Sequence, residues 1–339
     1  MGLKEWAEGK KKSEQKLYSS TDFRKEKKST VEPRIPYLTD AIGIPYFGGV
    51  KTYYLLLLLF FILFIFTKNA IIGILGGLNI LFIIIWEFYA GSKTGGMKNE
   101  IKDTVIAILI GLIVWFGSGW ILDTPTPINA IVSCSMLPAY ERGDMVILQG
   151  GHVNTKYMQY DGLINDIVST ATIKYGNITK KVQGSLYSYC AQNKDDICDE
   201  FKENPAQFSE THGPLELKYG VCTKFYPEEN KKISIACVKE TYFNGEKIEF
   251  DEKYELVVQQ PKKTDLYSLT GDIVHRVRFA VNASDGIIYF TKGDNNAIYD
   301  FQLYSKQYKM GNSPVEEEQV KGRVILRIPL LGNFKLFIA

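Results

Sequence analysis

Thr104-Val105-Ile106-Ala107-Ile108-Leu109-Ile110-Gly111-Leu112-Ile113-Val114-Trp115-Phe116-Gly117-Ser118-Gly119-Trp120-Ile121-Leu122 is the stretch on which the fold turns. It carries no charge along its whole length. A helix needs about 20 apolar residues to cross the hydrocarbon core of a bilayer, so this run is long enough to span one by itself. Trp115 and Trp120 stand near its far end, where interfacial aromatics sit. The chain after Leu122 therefore starts at a membrane surface.

Two further apolar runs precede it. Tyr53–Phe66 contains five consecutive leucines, Leu55 to Leu59. It is short for a span and reaches the required length by borrowing Phe47–Val50 if Lys51 snorkels. Ala70–Trp86 follows after only Thr67-Lys68-Asn69, which predicts a tight antiparallel hairpin or a re-entrant pair. The expected helices cover 51–67, 69–88 and 104–122. Residues 1–51 hold eleven Lys and Arg, including Lys10-Lys11-Lys12, and the loop 90–103 adds Lys93, Lys98 and Lys102. The positive-inside bias puts both segments in the cytoplasm and everything after Leu122 on the outer side. The basic head, 1–50, reads as a solvated topology determinant. The fifty polar residues before the first apolar run are unlike a cleavable signal peptide.

Composition narrows the remainder. Of 339 residues, 45% are hydrophobic and 23% charged, which excludes global disorder. Forty basic residues against 38 acidic ones leave a net charge of +2, so no nucleic-acid footprint is expected. Residues 123–339 are enough for one large or two small folded units. Short alternating runs predict strands at Asp144–Leu148, Ile233–Val238, Lys247–Phe250, Tyr254–Val258, Ile273–Val277, Gly286–Thr291 and Val324–Ile328. Asn244-Gly245 between two of them signals a hairpin. The expected architecture is a mainly β domain hung on N-terminal membrane helices. Cys190, Cys198, Cys222 and Cys237 lie outside the membrane; Cys190–Cys198 with Cys222–Cys237 is the sequence-local choice among three pairings, and free thiols are the other reading. Cys134 is the odd one left over. Sequons at Asn177 and Asn282 fit an outer location.

Shortly after the third span comes Ile131-Val132-Ser133-Cys134-Ser135-Met136-Leu137-Pro138, then Gly143-Asp144-Met145-Val146. If 130–136 is extended, Ser133 and Ser135 share one face. Paired hydroxyls can divide the work of acyl transfer, one attacking a carbonyl and the other helping to hold the oxyanion. A serine nucleophile needs a base, and the chain has three histidines. His152 and His212 lie in polar, turn-like surroundings. His275 lies in the alternating strand Ile273-Val274-His275-Arg276-Val277, after a second Gly-Asp-x-Val phrase at Gly271–Val274. A base needs an orienting carboxylate. Thr291-Lys292-Gly293-Asp294-Asn295-Asn296 and the following Asp300 offer two, within reach of the histidine strand.

In this order the boxes resemble type I signal peptidases, specifically the archaeal and endoplasmic-reticulum branch in which His replaces the Lys base of the common bacterial enzymes. Ser-x-Ser-Met-x-Pro is matched by Ser133–Pro138, the histidine box by Ile273–Val277, the acid box by Thr291–Asn296 and the closing box by Val320–Val324 with Ile328–Gly332. The resemblance covers about 100 residues. It implies a membrane-bound serine endopeptidase that removes N-terminal signal peptides after small residues at positions −1 and −3. Ser135 takes the place of the nucleophile and His275 that of the general base. Asp300 is the orienting acid and Asp294 a second important carboxylate. The oxyanion hole is Ser133 with Ser135. Met136, Pro138, Asp144 and Val146 would meet the substrate, bound as an added strand beside the Ser135 and Asp144–Leu148 strands. No metal and no cofactor is implied. The partners are secretory preproteins, membrane lipids and, beyond them, translocation machinery or accessory subunits. The location is a cell membrane with the catalytic domain outside, or alternatively the reticulum membrane with the domain in the lumen.

The chain departs from the usual pattern in four ways, the first being that the acid box, which usually ends in Asp-Asp, reads Tyr299-Asp300 here and keeps only the second acid. It has three apolar runs where relatives have one, it carries about 120 residues between the serine and histidine boxes, and it has no apolar run after Gly332 long enough to span. The expected organisation is a basic region 1–50, a membrane region 51–122, a catalytic β domain from 123–149 and 269–339, and an inserted subdomain 150–268 holding both disulfides. The rival readings are an inactive anchored homologue and a membrane-tethered glycoprotein with a β ectodomain. The first would keep the fold without turnover, and the second does not explain the ordered boxes.

Overall fold

A computed structural model describes residues 38–39, 45–47, 50–67, 69–164 and 170–338. The chain forms two compact units, Met1–Leu56 and Leu57–Ala339. In the first, β1 (Leu38–Thr39), β2 (Pro45–Phe47) and β3 (Val50–Lys51) make a small antiparallel sheet. Most of the basic region expected at 1–50 lies outside the described residues.

Three apolar helices follow: α1 (Thr52–Thr67), α2 (Ala70–Gly91) and α3 (Met97–Ile121). The last two are long and apolar enough to cross a membrane, while α1 has 16 residues. Asn69 caps α2 by accepting from the Ile71 N–H at 2.8 Å, which starts a new helix almost at once after Thr67. The third helix begins seven residues before the expected 104. Met97–Asp103 is polar but made largely of helix-compatible residues, and Glu100 in the first turn suits the helix dipole.

The second unit continues with β4 (Ile128–Ala130), β5 (Met145–Gln149), β6 (Tyr157–Gln159), β7 (Thr170–Tyr175), β8 (Ile178–Gln183), α4 (Leu186–Gln192) and α5 (Asp196–Glu203). Then come β9 (Phe208–His212), β10 (Leu215–Tyr226), β11 (Lys231–Phe243), β12 (Glu246–Ile248), β13 (Leu256–Gln259), β14 (Ile273–Ala283) and β15 (Gly286–Lys292). The chain ends with β16 (Tyr304–Ser305), β17 (Met310–Gly311), β18 (Val315–Glu316), β19 (Val320–Ile328) and α6 (Asn333–Ile338). An eight-stranded sheet has the order β18-β15-β14-β13-β19-β5-β4, with β6 pairing β14 in parallel. A six-stranded sheet has the order β12-β11-β10-β9-β7-β8. Register breaks at Val277/Phe279, Val258/Gln259 and Val324/Leu326 bend the larger sheet, so it curls. Asn244 and Gly245 take φ of 50° and 81°, as a tight β11–β12 turn requires.

The two sheets share a core. Leu215, Leu217, Phe243 and Ile248 from the smaller one pack with Phe279, Val281, Ile288 and Phe290 from the larger. Phe279 and Phe290 stack at 4.4 Å between ring centroids. Each such ring contributes roughly 2–3 kcal/mol by leaving water, so neither sheet is an ornament on the other. Strand pairing cuts across the stretch 150–268. Tyr157–Gln159 and Leu256–Gln259 fall inside it yet belong to the eight-stranded sheet, β13 at its centre. The reason is visible in β13, where all four side chains are buried, as a strand covered on both faces must be. Disulfides join Cys190 to Cys198 and Cys222 to Cys237, and Cys134 is a free thiol.

Two tethers tie the helices to the β unit. The Gly150 N–H donates to the Leu122 carbonyl at 2.8 Å and Thr124 Oγ1 donates to the Lys321 carbonyl at 2.6 Å. At the other end, Phe337 of α6 is buried against Gly76 of α2, where any Cβ would stand 1.7 Å from its Cζ.

Candidate active site

The strand carrying the paired serines ends earlier than expected. β4 stops at Ala130, and the backbone bends at Ser133 and turns from Ser135 onward, with the Tyr140 N–H donating to the Met136 carbonyl at 3.0 Å. Alternation along 130–136 is therefore not what unites the serines. The bend does it, leaving Ser133 Oγ and Ser135 Oγ 2.9 Å apart. The fully buried Met136 pins the turn from beneath.

His275 is the third residue of β14 and is only 3% exposed. Its Nε2 lies 3.0 Å from Ser135 Oγ and its Nδ1 2.7 Å from Asp300 Oδ2. An ionised carboxylate only accepts, so Nδ1 is the protonated nitrogen and Nε2 is left to accept the Ser135 hydroxyl. Asp300, 3% exposed, opens a short 3-10 turn, Asp300–Gln302. That turn is held by the Tyr299 N–H donating to Gln302 Oε1 at 2.7 Å and by Asn312 Nδ2 donating to the Asp300 carbonyl at 3.0 Å. Asp300 Oδ2 accepts a second bond from Thr291 Oγ1 at 2.7 Å, and Gln259 Nε2 stands 3.5 Å away. Tyr267 faces the same carboxylate. Burial, with the charge of Asp300 behind it, holds its phenol far above the ordinary value.

Asp294 faces elsewhere. Arg276 grips it through Nε at 2.9 Å and Nη2 at 2.8 Å, and Arg278 Nη2 adds 3.1 Å. Of the two acids left open by the sequence, Asp300 is the one at His275. The loop after Asp294 reaches the serine turn, as the Asn295 N–H donates to the Ser135 carbonyl at 2.8 Å. Gly293 lies so close that a Cβ there would stand 2.7 Å from the same carbonyl oxygen. Two cavities meet at Ser135. One, of about 270 Å³, runs between Ala130–Ser133 and Asp272–His275. The other, of about 300 Å³, lies toward the tip of the β10–β11 hairpin.

The residues expected to meet substrate lie away from both cavities. None of Met136, Pro138, Asp144 and Val146 lines either cavity. Asp144 is 2% exposed, ion-paired to Arg327 Nε at 2.6 Å and accepting from the Glu141 N–H at 2.8 Å, so it fastens a turn to β19. Val146 packs in the core with Ile131, Leu148 and Val258. Strand β5 is flanked by β19 and β4 and has no free edge for an added strand; that edge belongs to β4. His212 is likewise not in a turn: it is a fully buried residue of β9, 3.1 Å from Glu210.

No family model matches the chain. Over part of its length it is similar to curated proteins. It is 33% identical over 87 residues to the signal peptidase complex catalytic subunit SEC11 of Verticillium alfalfae, covering 25% of this chain and 44% of that protein. It is 36% identical over 85 residues to the protein of the same name from Scheffersomyces stipitis, covering 24% and 49%. A quarter of the chain is thus related in sequence to signal peptidase catalytic subunits. The chain spans about half the length of the curated relatives it matches.

Four residues at the site escape the sequence reading as individuals: Gln259, Tyr267, Thr291 and Asn295. Thr291 and Asn295 lie inside the acid box, where turn chemistry hides their roles. Gln259 has a faint signal, a polar residue closing an apolar strand. Tyr267 has none. Among the described residues no group of three or more His, Cys, Asp or Glu could hold a metal ion.

Proposed function

We propose that the protein is a membrane-bound serine endopeptidase that removes N-terminal signal peptides from secretory preproteins. The observation that carries this reading is the unbroken chain from Ser135 Oγ through His275 to Asp300, at 3.0 and 2.7 Å, opening onto two cavities. Nε2 of His275 takes the Ser135 proton as Oγ attacks the scissile carbonyl. Asp300 holds the tautomer and stabilises the imidazolium that forms. The Ser135 N–H and the Ser133 hydroxyl receive the oxyanion. The imidazolium then protonates the leaving amine, and a water, activated by the same nitrogen, releases the acyl group. Atoms balance with no cofactor.

The apolar helices α1 to α3 anchor the enzyme, with the basic segments on one side of the membrane and the catalytic sheet on the other. The tether from Gly150 to Leu122 supports a short, fixed distance between the membrane and Ser135. The free edge of β4 pairs the extended peptide, and the cavity lined by Ala130, Ile131, Val132 and Val274 takes the small residues before the cleavage point. The domain 123–149 with 269–339 carries the chemistry. The six-stranded sheet is an insertion fused to it through the common core. The relatives are subunits of a complex, and accessory subunits are part of the proposal. The test is cleavage of a model preprotein in proteoliposomes. Wild type cuts after a small residue, and Ser135→Ala does not. Equal cutting by Ser135→Ala rejects the reading.

A further inference from the structure

The second cavity at Ser135 has a wall that the chemistry leaves unused. Lys224, Phe225, Tyr226 and Pro227, at the tip of the β10–β11 hairpin, form it opposite Cys134 and Ser135. The hairpin belongs to the six-stranded sheet, yet its tip is fixed to the serine turn through one side chain. Asn295 Oδ1 accepts from the Phe225 N–H at 3.0 Å, and its Nδ2 donates to the Phe225 carbonyl at 2.9 Å and to the Cys134 carbonyl at 3.2 Å. The side-chain amide thus pairs with Phe225 as a neighbouring strand would, and bridges to the nucleophile's own turn. The Cys222–Cys237 disulfide closes the hairpin just below. A wall held at both ends keeps its shape when a peptide passes it.

The two cavities differ in chemistry. The one beside β4 has one aliphatic wall, Ala130, Ile131, Val132 and Val274, facing Tyr267, Thr270 and Asp272. The one beneath the hairpin presents two aromatic rings, the exposed Glu229 carboxylate and the Lys224 ammonium, which lies 5.2 Å from the centre of the Tyr226 ring and is the only cation in that lining. We propose that this wall reads the residues that follow the scissile bond, and that Lys224 favours an acidic side chain among the first three of them. Phe225 and Tyr226 supply the apolar floor, and Asn295 positions the wall against Ser135. The inference rests on the peptidase reading above.

The experiment compares kcat/KM for two families of model preproteins, one varied at the first three positions after the cleavage point and one at positions −1 and −3. Wild type is expected to prefer Asp over Lys after the cleavage point by about three- to tenfold, the scale of one partly exposed charge pair. Lys224→Glu reverses that preference and Lys224→Gln removes it, both with the −1 and −3 preferences unchanged. A preference after the cleavage point that ignores both substitutions overturns the assignment, as does a change confined to positions −1 and −3. Loss of all Ser135-dependent cleavage in wild type would instead remove the peptidase reading, so the two failures are distinguishable. Phe225→Ala retains the backbone bonds to Asn295 and reports on the floor alone. It is expected to raise KM for every substrate with kcat little changed.

Discussion

Among the described residues two histidine–carboxylate pairs are buried, and one of the two opens onto a cavity. His275 meets Asp300 at 2.7 Å, and its other nitrogen faces a serine between two cavities. His212 meets Glu210 at 3.1 Å, both 0% exposed. There the carboxylate is shared with structural donors, the Leu186 N–H at 2.7 Å and Gln302 Nε2 at 2.6 Å. Gln302 also reaches Tyr219, whose phenol burial pushes far up, with the Glu210 charge adding to it. The two pairs are joined by a two-residue step from Asp300 to Gln302 in one turn. The difference teaches that a His–carboxylate pair is a common structural clasp, and that access to a hydroxyl and to solvent is what offers it a reaction.

The largest expected effect separates the pairs directly. In the proposed reaction, His275→Ala lowers kcat by about 10⁶ while the β-strand amides keep their hydrogen-exchange protection. His212→Ala does the reverse, leaving turnover per folded molecule within a few-fold and lowering protection across β9 and β10. Equal loss of turnover in the two variants would break the comparison. Next in size is Glu210→Ala. It strips the shared acceptor from a buried cluster, so a stability loss of about 3–5 kcal/mol is expected in denaturant titrations followed by exchange. Because Gln302 sits two residues from Asp300, a loosened turn would also lower kcat, and Glu210→Gln, which keeps one of the two acceptor oxygens and sets an NH2 against a donor at the other, should recover only part of both.

How much of this was legible depends on the range of the interactions. Ser133, Ser135, His275 and Asp300 stand out because a reaction needs those side chains, whatever the backbone does. The prediction that alternation unites the serines failed locally, as the chain bends at Ser133. Strands β11, β14, β15 and β19 carry local alternation and were found, though short. Strand β10 carries the same signal, since Leu215, Leu217 and Tyr219 are buried while Glu216 and Lys218 are less so. The pairing of Leu215, Leu217 and Phe243 with Phe279 and Phe290 is different in kind. Each patch reads as half of a core, and nothing local names its partner, so the two sheets looked separable. His212 misled for the same reason, because its polar neighbours Glu210 and Thr211 resemble a loop until the strand pairing with β10 is known.

A smaller effect probes the open pair. Ser133 Oγ touches Ser135 Oγ at 2.9 Å, and in the proposed reaction it moves to the oxyanion. Ser133→Ala should cost about 10²–10³ in kcat with KM little changed. If Ser133 merely orients the resting Ser135, the loss would be far less, and Ser133→Thr would not recover it.

The smallest effect concerns the other face of β15. Thr291 points at Asp300, while the next residue, Lys292, lines a cavity of about 410 Å³ with Arg278 and Lys239. Burial first, then the Arg278 charge, pushes the Lys292 amine down to about 7, against a pull upward from Asp294 and Asp300. The unfolded chain keeps its proton up to the ordinary lysine range. Between those values the unfolded state binds more protons than the native one, so stability rises with pH. From pH 6 to pH 8 the rise should be about 1.4 kcal/mol, one pH unit's worth of a single proton. Below pH 6 the amine is charged in both states and the slope vanishes. Lys292→Met should be more stable than wild type, by most at pH 6, and should lack this slope, read as denaturation midpoints across the series. An unchanged slope in Lys292→Met would assign the pH response to another group.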